Sequence, residues 1–202
     1  WNGDVSVLRY FVDPTDAEVF RFTRAAINNS KSLLDTISGE RRNFACAGIL
    51  FDEFAKTITY VNDPKKSQDN VQYPAETLHL HGGDCDDFSV AYAALLSSIG
   101  ISVAFVDVVP PDHPDSSHIY MLFDSGISAD RSGAISGNPK RIVVRKNEHG
   151  DETVWIPVEP TAITHGFAEA WNTGANEYYQ DVELHLGFAK GWVKVVDLQI
   201  MQ

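Results

Sequence analysis

Cysteine is scarce in this sequence: only Cys46 and Cys85 occur in 202 residues. No disulfide framework can hold such a chain, and joining the pair would consume both thiols. Positive charge is scarce too, with 16 Lys and Arg against 28 Asp and Glu and a formal net charge of -12. No basic cluster is longer than Arg41-Arg42 or Lys65-Lys66, so a phosphate backbone finds no electrostatic footprint and nucleic acid is excluded as a partner. No run of 18 apolar residues exists, which argues against membrane insertion. The chain opens at Trp1 with neither an initiator Met nor a signal-peptide pattern, and the expectation is a processed piece of something longer. The cysteine count leaves the compartment open, with periplasm, cell surface or extracellular space as the expectation; the oligomeric state is unspecified.

What is present suffices for a core. A hydrophobic content of 44% can bury one substantial interior at this length, so one unit over 1–202 is expected. Its layers are a helical segment over 1–59, the chemistry-bearing motifs over 60–161, and helical pieces with a closing strand over 162–202. Asp13-Pro14-Thr15-Asp16 reads as a helix start, with Asp13 as cap. Asn28-Asn29-Ser30 interrupts that helix, and a second apolar stripe runs from Phe44 to Ile58. The polar stretch from Asp63 to Asn70 reads as a surface loop. Pro74 opens a short helix through Leu80, Gly82-Gly83 breaks it, and a longer helix starts at Cys85 and stops at Gly100. Beyond Gly100 the period becomes extended, with strands expected over 101–109, 118–123, 141–146, 153–158 and 192–198. Pro110 to Asp115 and Ser125 to Pro139 read as loops, and Phe167 to Tyr179 as helical pieces broken at Gly174. Helices first and strands second argue α+β, with N-terminal helices packed on a C-terminal antiparallel sheet.

Cys85 follows a glycine turn and opens a helix, where the helix N-terminus favours thiolate. Asp84, Asp86 and Asp87 oppose it, since three carboxylates beside the sulfur favour the neutral thiol unless some of them cap helix amides. A histidine is therefore required to form a thiolate–imidazolium pair, and position decides among seven. His79 and His81 lie too close along the chain, while His113, His149 and His165 fall in loops. His118 opens a strand whose Ile119, Met121 and Phe123 share one face, leaving His118 on the other. An acid should orient the imidazole. Asp124 lies six residues along the same strand, on the order of 20 Å away. Glu159 ends the strand containing Val154, Ile156 and Val158, and reaches His118 if the two strands pair antiparallel. The expected order then places the Glu159 strand between the His118 strand and the one over 141–146.

These residues resemble the transglutaminase-like superfamily of papain-fold cysteine enzymes. The resemblance is carried by Gly83-Asp84-Cys85-Asp86-Asp87-Phe88 with the helix ending at Ile99-Gly100-Ile101, by Ser117-His118-Ile119-Tyr120, and by Trp155 to Thr161. It implies a triad of Cys85, His118 and Glu159, although aspartate is the commoner acid in that superfamily. It also implies acyl transfer through a thioester on an amide of a protein or peptide, with hydrolysis expected. The backbone N–H of Cys85 and the amide of Gln72 are the candidates for stabilising the oxyanion. Cross-linking to an amine, or a non-catalytic interaction module within a larger exported protein, are the alternatives; a complete Cys/His/acid set argues against the module.

No cofactor is required by this chemistry. Asp84, Asp86 and Asp87 are hard oxygen donors suited to Ca²⁺, and a periplasmic protease branch of the superfamily uses calcium near its cysteine. The EF-hand pattern is absent, however, and Asp-Cys-Asp-Asp is equally a polar helix start. Zinc lacks paired Cys or His ligands at usable spacing. Cys46 reads as packing within the helical layer.

Overall fold

The first long helix begins one turn later than expected. Asp13 accepts the Thr15 N–H in a local turn, whereas Asp16 accepts from Glu18 N and Val19 N and is the true cap. The computed structural model describes residues 4–61, 70–112 and 117–198. Residues 63–69 of the expected surface loop and His113 to Asp115 of the proline-rich loop lie outside the described residues.

The helical layer comprises α1 (Val5–Leu8), α2 (Ala17–Asn29), α3 (Lys31–Leu34) and α4 (Arg42–Thr57), with the break between α2 and α3 at Ser30. There follow β1 (Thr59–Tyr60), α5 (Pro74–Leu80), β2 (Gly82–Gly83) and α6 (Cys85–Ser97). The remainder is β3 (Val103–Val108), β4 (His118–Ser128), β5 (Val143–Lys146), β6 (Glu152–Val158), α7 (Phe167–Tyr178), α8 (Gly187–Lys190) and β7 (Val193–Asp197). The architecture is α+β, as the change of period at Gly100 indicates.

Five strands form one antiparallel sheet in the order β5-β6-β4-β3-β7. The strand ending at Glu159 thus lies between β5 and β4. Both faces of the sheet are covered. On one, Ile119, Met121, Phe123, Ile156 and Val158 join the core with α4 and α6, where Leu50, Phe54, Phe88 and Leu95 are fully buried. On the other, Tyr120, Leu122 and Trp155 pack beneath Tyr178, Val182 and Trp192. α6 is buried nearly all round, as expected of a helix enclosed between a helical layer and a sheet.

Two sequence expectations change. Residues 125–139 contain regular structure: β4 continues through Ser128, and 3-10 turns span Ala129–Ala134 and Pro139–Arg141. Gly174 does not break α7 but lies inside a continuous helix, and a Cβ there would come within 2.7 Å of the Val158 backbone. The glycine is a contact surface, allowing α7 to press against the end of β6.

Candidate active site

The nucleophile candidate is positioned by its neighbours in sequence. Asp87 reaches back from the first turn of α6: its Oδ1 accepts Gln72 N at 2.7 Å and its Oδ2 accepts Asp84 N at 3.3 Å. A Cβ on Gly83 would sit 2.6 Å from the Asp87 side chain, so the second glycine of the turn is required by this close approach. β1 and β2 pair in parallel, with Thr59 opposite Gly82 and Tyr60 opposite Gly83, tying the turn to the end of α4. Cys85 is half-buried.

β4 and β6 bring the other two residues together. Met121 pairs with Val158, so Glu159, one residue beyond the strand, projects on the same side as Tyr120 and His118. His118 Nε2 lies 2.6 Å from Glu159 Oε2, which leaves Nδ1 for the hydrogen bond that His118 shares with Cys85. The second oxygen of Glu159 is occupied as well: Oε1 accepts the Thr161 N–H at 2.8 Å and the Thr161 hydroxyl. Glu159 is almost wholly buried and His118 partly open, with side-chain exposures of 3% and 33%. The carboxylate is thus a fixed support, and the imidazole faces both it and solvent.

The electrostatics of Cys85 and His118 diverge. Burial would lower His118, but its hydrogen bonds to Cys85 and Glu159 and the Glu159 charge outweigh it and push His118 up to about 11. Burial pushes the Cys85 thiol up, the His118 hydrogen bond and charge pull it down, and Asp86 and Asp84 push it up again. The net direction is upward, because desolvation and the two carboxylates outweigh the imidazole. His118 is nevertheless the group that draws the sulfur toward thiolate. Asp87, the third carboxylate suspected of opposing it, is turned to Gln72 and Asp84 instead.

Gln72 is fixed to the nucleophile turn through its backbone, and its side-chain Oε1 is buried. The Cys85 N–H lies at the open N-terminus of α6. The donor atoms of Asp84, Cys85 and Asp86 lie within 4.8 Å of one another. Among the described residues this set supplies two carboxylates and a soft thiol, short of the six to eight oxygens Ca²⁺ takes.

Two contributors escaped the sequence reading. Thr161 sits inside the recognised Pro160-Thr161 motif but gave no sign of its bond to Glu159. Glu177, on α7, has a carboxyl oxygen within 4.8 Å of both His118 and Glu159 donor atoms. A helix interrupted at Gly174 would not have placed it there.

A family model described as the transglutaminase-like superfamily matches residues 31–195, spanning Cys85, His118 and Glu159. The chain belongs to the transglutaminase-like superfamily. Solved structures similar to this superfamily member include Legionella pneumophila LapG in a calcium-bound form and LapG itself, each at 18% identity and a TM-score of 0.27. Either alignment covers 48% of this chain and 65% of the LapG chain. The sequence matches no curated protein. Among the described residues no helix is long and apolar enough to cross a membrane.

Proposed function

We propose that this transglutaminase-like protein is a cysteine peptidase or amidase acting on a protein or peptide substrate, with Cys85 as nucleophile, His118 as acid–base and Glu159 as its orienting carboxylate. The observation that carries this reading is the 2.6 Å contact between Glu159 Oε2 and His118 Nε2, with the opposite nitrogen of the ring left to Cys85. The Cys85 sulfur attacks the amide carbonyl carbon as thiolate, with the proton on His118, forming the C–S bond. The C–N bond then breaks as His118 gives its proton to the leaving amine. Water attacks the thioester, His118 takes its proton, the C–S bond breaks, and the acid product leaves with Cys85 restored as thiolate beside protonated His118. The N–H of Cys85 and the amide of Gln72 are the donors assigned to the oxyanion.

Incubation with a proteome-derived peptide library, read by mass spectrometry, tests the reaction. New peptide termini are expected from the wild type and not from Cys85→Ala; cleavage by that variant defeats the proposal. Iodoacetamide labelling tests the activation of the thiol. His118 pulls the Cys85 sulfur toward thiolate, so His118→Ala is expected to slow Cys85 alkylation at pH 7 by tenfold or more, on the basis that about one pKa unit is a factor of ten in thiolate. Equal labelling rates would sink the assignment.

A further inference from the structure

The carboxyl group of Glu177 has no part in the chemistry above, yet it sits against it. Gly174 lets the α7 backbone approach Val158 and Glu159 more closely than any side chain permits, and the Glu159 N–H donates to Ala170 O at 3.0 Å. Glu177 lies three residues after Gly174, on the same helix face. It meets the site from α7, with donor atoms of Glu177, Glu159 and His118 all within 4.8 Å of one another. The Glu177 Oε2 atom is buried and accepts no hydrogen bond from any described donor. Two carboxylates this close cannot both remain ionised without severe repulsion.

We propose that Glu177 is a positioning residue of the active site: held in its acid form, its carboxyl group donates a hydrogen bond to Glu159 and so braces that carboxylate against His118. This rests on the peptidase reading for its consequence in catalysis. Burial and the Glu159 charge push Glu177 up to about 8, against the pull of His118, with the Glu159 hydrogen bond and Asp181 acting in the same upward direction. The groups facing it are Glu159 at the end of β6, His118 on β4 and Asp181 beyond α7; the Tyr120 hydroxyl of β4 lies in the same field. Near neutral pH the Glu159–Glu177 pair therefore carries a single negative charge. Above pH 8 it carries two, which holds the proton on His118 more tightly and repels the two carboxylates.

Carbon-13 NMR of glutamate-labelled protein from pH 4 to 10, with the Glu177 signal assigned by its loss in Glu177→Gln, tests this directly. The Glu177 carboxyl is expected to titrate near pH 8, and the His118 ring nitrogens to show a step at the same pH that disappears in Glu177→Gln. Titration of Glu177 in the ordinary carboxylate range near 4.3, or a His118 step that survives in Glu177→Gln, overturns the proposal. In peptide hydrolysis at pH 6.5, Glu177→Gln still offers Glu159 a donor and is expected to retain about tenfold more kcat than Glu177→Ala, the scale of one hydrogen bond to a charged group; equal kcat in the two variants speaks against it. If Cys85→Ala cleaves the library as well as wild type, the peptidase reading falls while the NMR step still reports on Glu177. If cleavage depends on Cys85 but the step is missing, only the bracing role falls.

Discussion

At the scale of single residues, His118 is a histidine held charged by its surroundings. Its neighbour Glu159 is buried, doubly anchored by Thr161 and bonded to the ring, so the ring is fixed in orientation. Replacing Glu159 by Gln removes the charge while keeping the shape. The His118 value is expected to fall from about 11 toward its ordinary range, and peptide hydrolysis to drop on the order of 10²- to 10⁴-fold, as when the acid of an imidazole-based triad is neutralised. Ring-nitrogen NMR and kcat measurements check the two parts separately; a His118 titration unmoved in Glu159→Gln would refute the electrostatic account. Thr161→Val deletes one donor to Glu159 and leaves the backbone N–H, so a smaller loss, about tenfold in kcat, is expected from one hydrogen bond to a charged acceptor. Cys85, His118 and Glu159 were legible because each sits at the end of an element whose start or stop the sequence marks: a glycine turn, a change of period, a proline. Glu177 was not legible, because its place depends on how α7 docks.

Elements carry the next set of constraints. α7 is set in place by Trp171, whose Nε1 donates to Arg141 O at 2.7 Å and whose ring lies 3.9 Å beneath the Arg141 guanidinium. Its contact with β6 passes through Gly174. Alanine at that position would place Cβ 2.7 Å from the Val158 carbonyl carbon and 2.8 Å from Glu159 N. These are backbone atoms with nowhere to turn. Gly174→Ala is expected to cost about 1–3 kcal/mol of stability, the scale of overpacking, and to impair hydrolysis beyond that cost by shifting Glu159 off His118. A urea titration paired with kcat on the folded fraction checks it, and a variant with native stability and activity would contradict the close packing. The expected glycine break here was wrong for an instructive reason: sequence shows that a residue lacks a side chain, but not whether the vacant space serves a turn or a neighbour. Asp16 rather than Asp13 as the cap of α2 is the same kind of ambiguity, two suitable side chains three residues apart.

For the whole molecule, the raised values share one sign. His118 binds its proton more tightly folded than unfolded, so its stabilisation is complete below about pH 6.5 and is lost as pH rises toward about 11. Glu177, raised to about 8, keeps a proton that the unfolded chain releases near 4.3, so stability falls further between those values. Asp107, Asp124 and Asp181 are raised mainly by burial and act in the same direction from lower pH. The urea midpoint is therefore expected to be higher at pH 6 than at pH 9, with a smaller difference in a His118→Ala, Glu177→Gln double variant; a midpoint that rises toward pH 9 would refute this. The α+β order and the place of β6 between β5 and β4 followed from periodicity and from the demand that Glu159 reach His118, while the cover over the second sheet face, built from Tyr178, Val182 and Trp192, has no strong period to announce it. The short parallel pairing of β1 with β2 carries a consequence for exchange kinetics. Thr59 N donates to His81 O at 3.0 Å and Val61 N to Gly83 O at 2.9 Å, so these two amide protons are released to solvent only when the segment before Cys85 separates from the end of α4. Their deuterium uptake is a clock for the opening of the nucleophile turn, kept by residues more than twenty positions away in the chain.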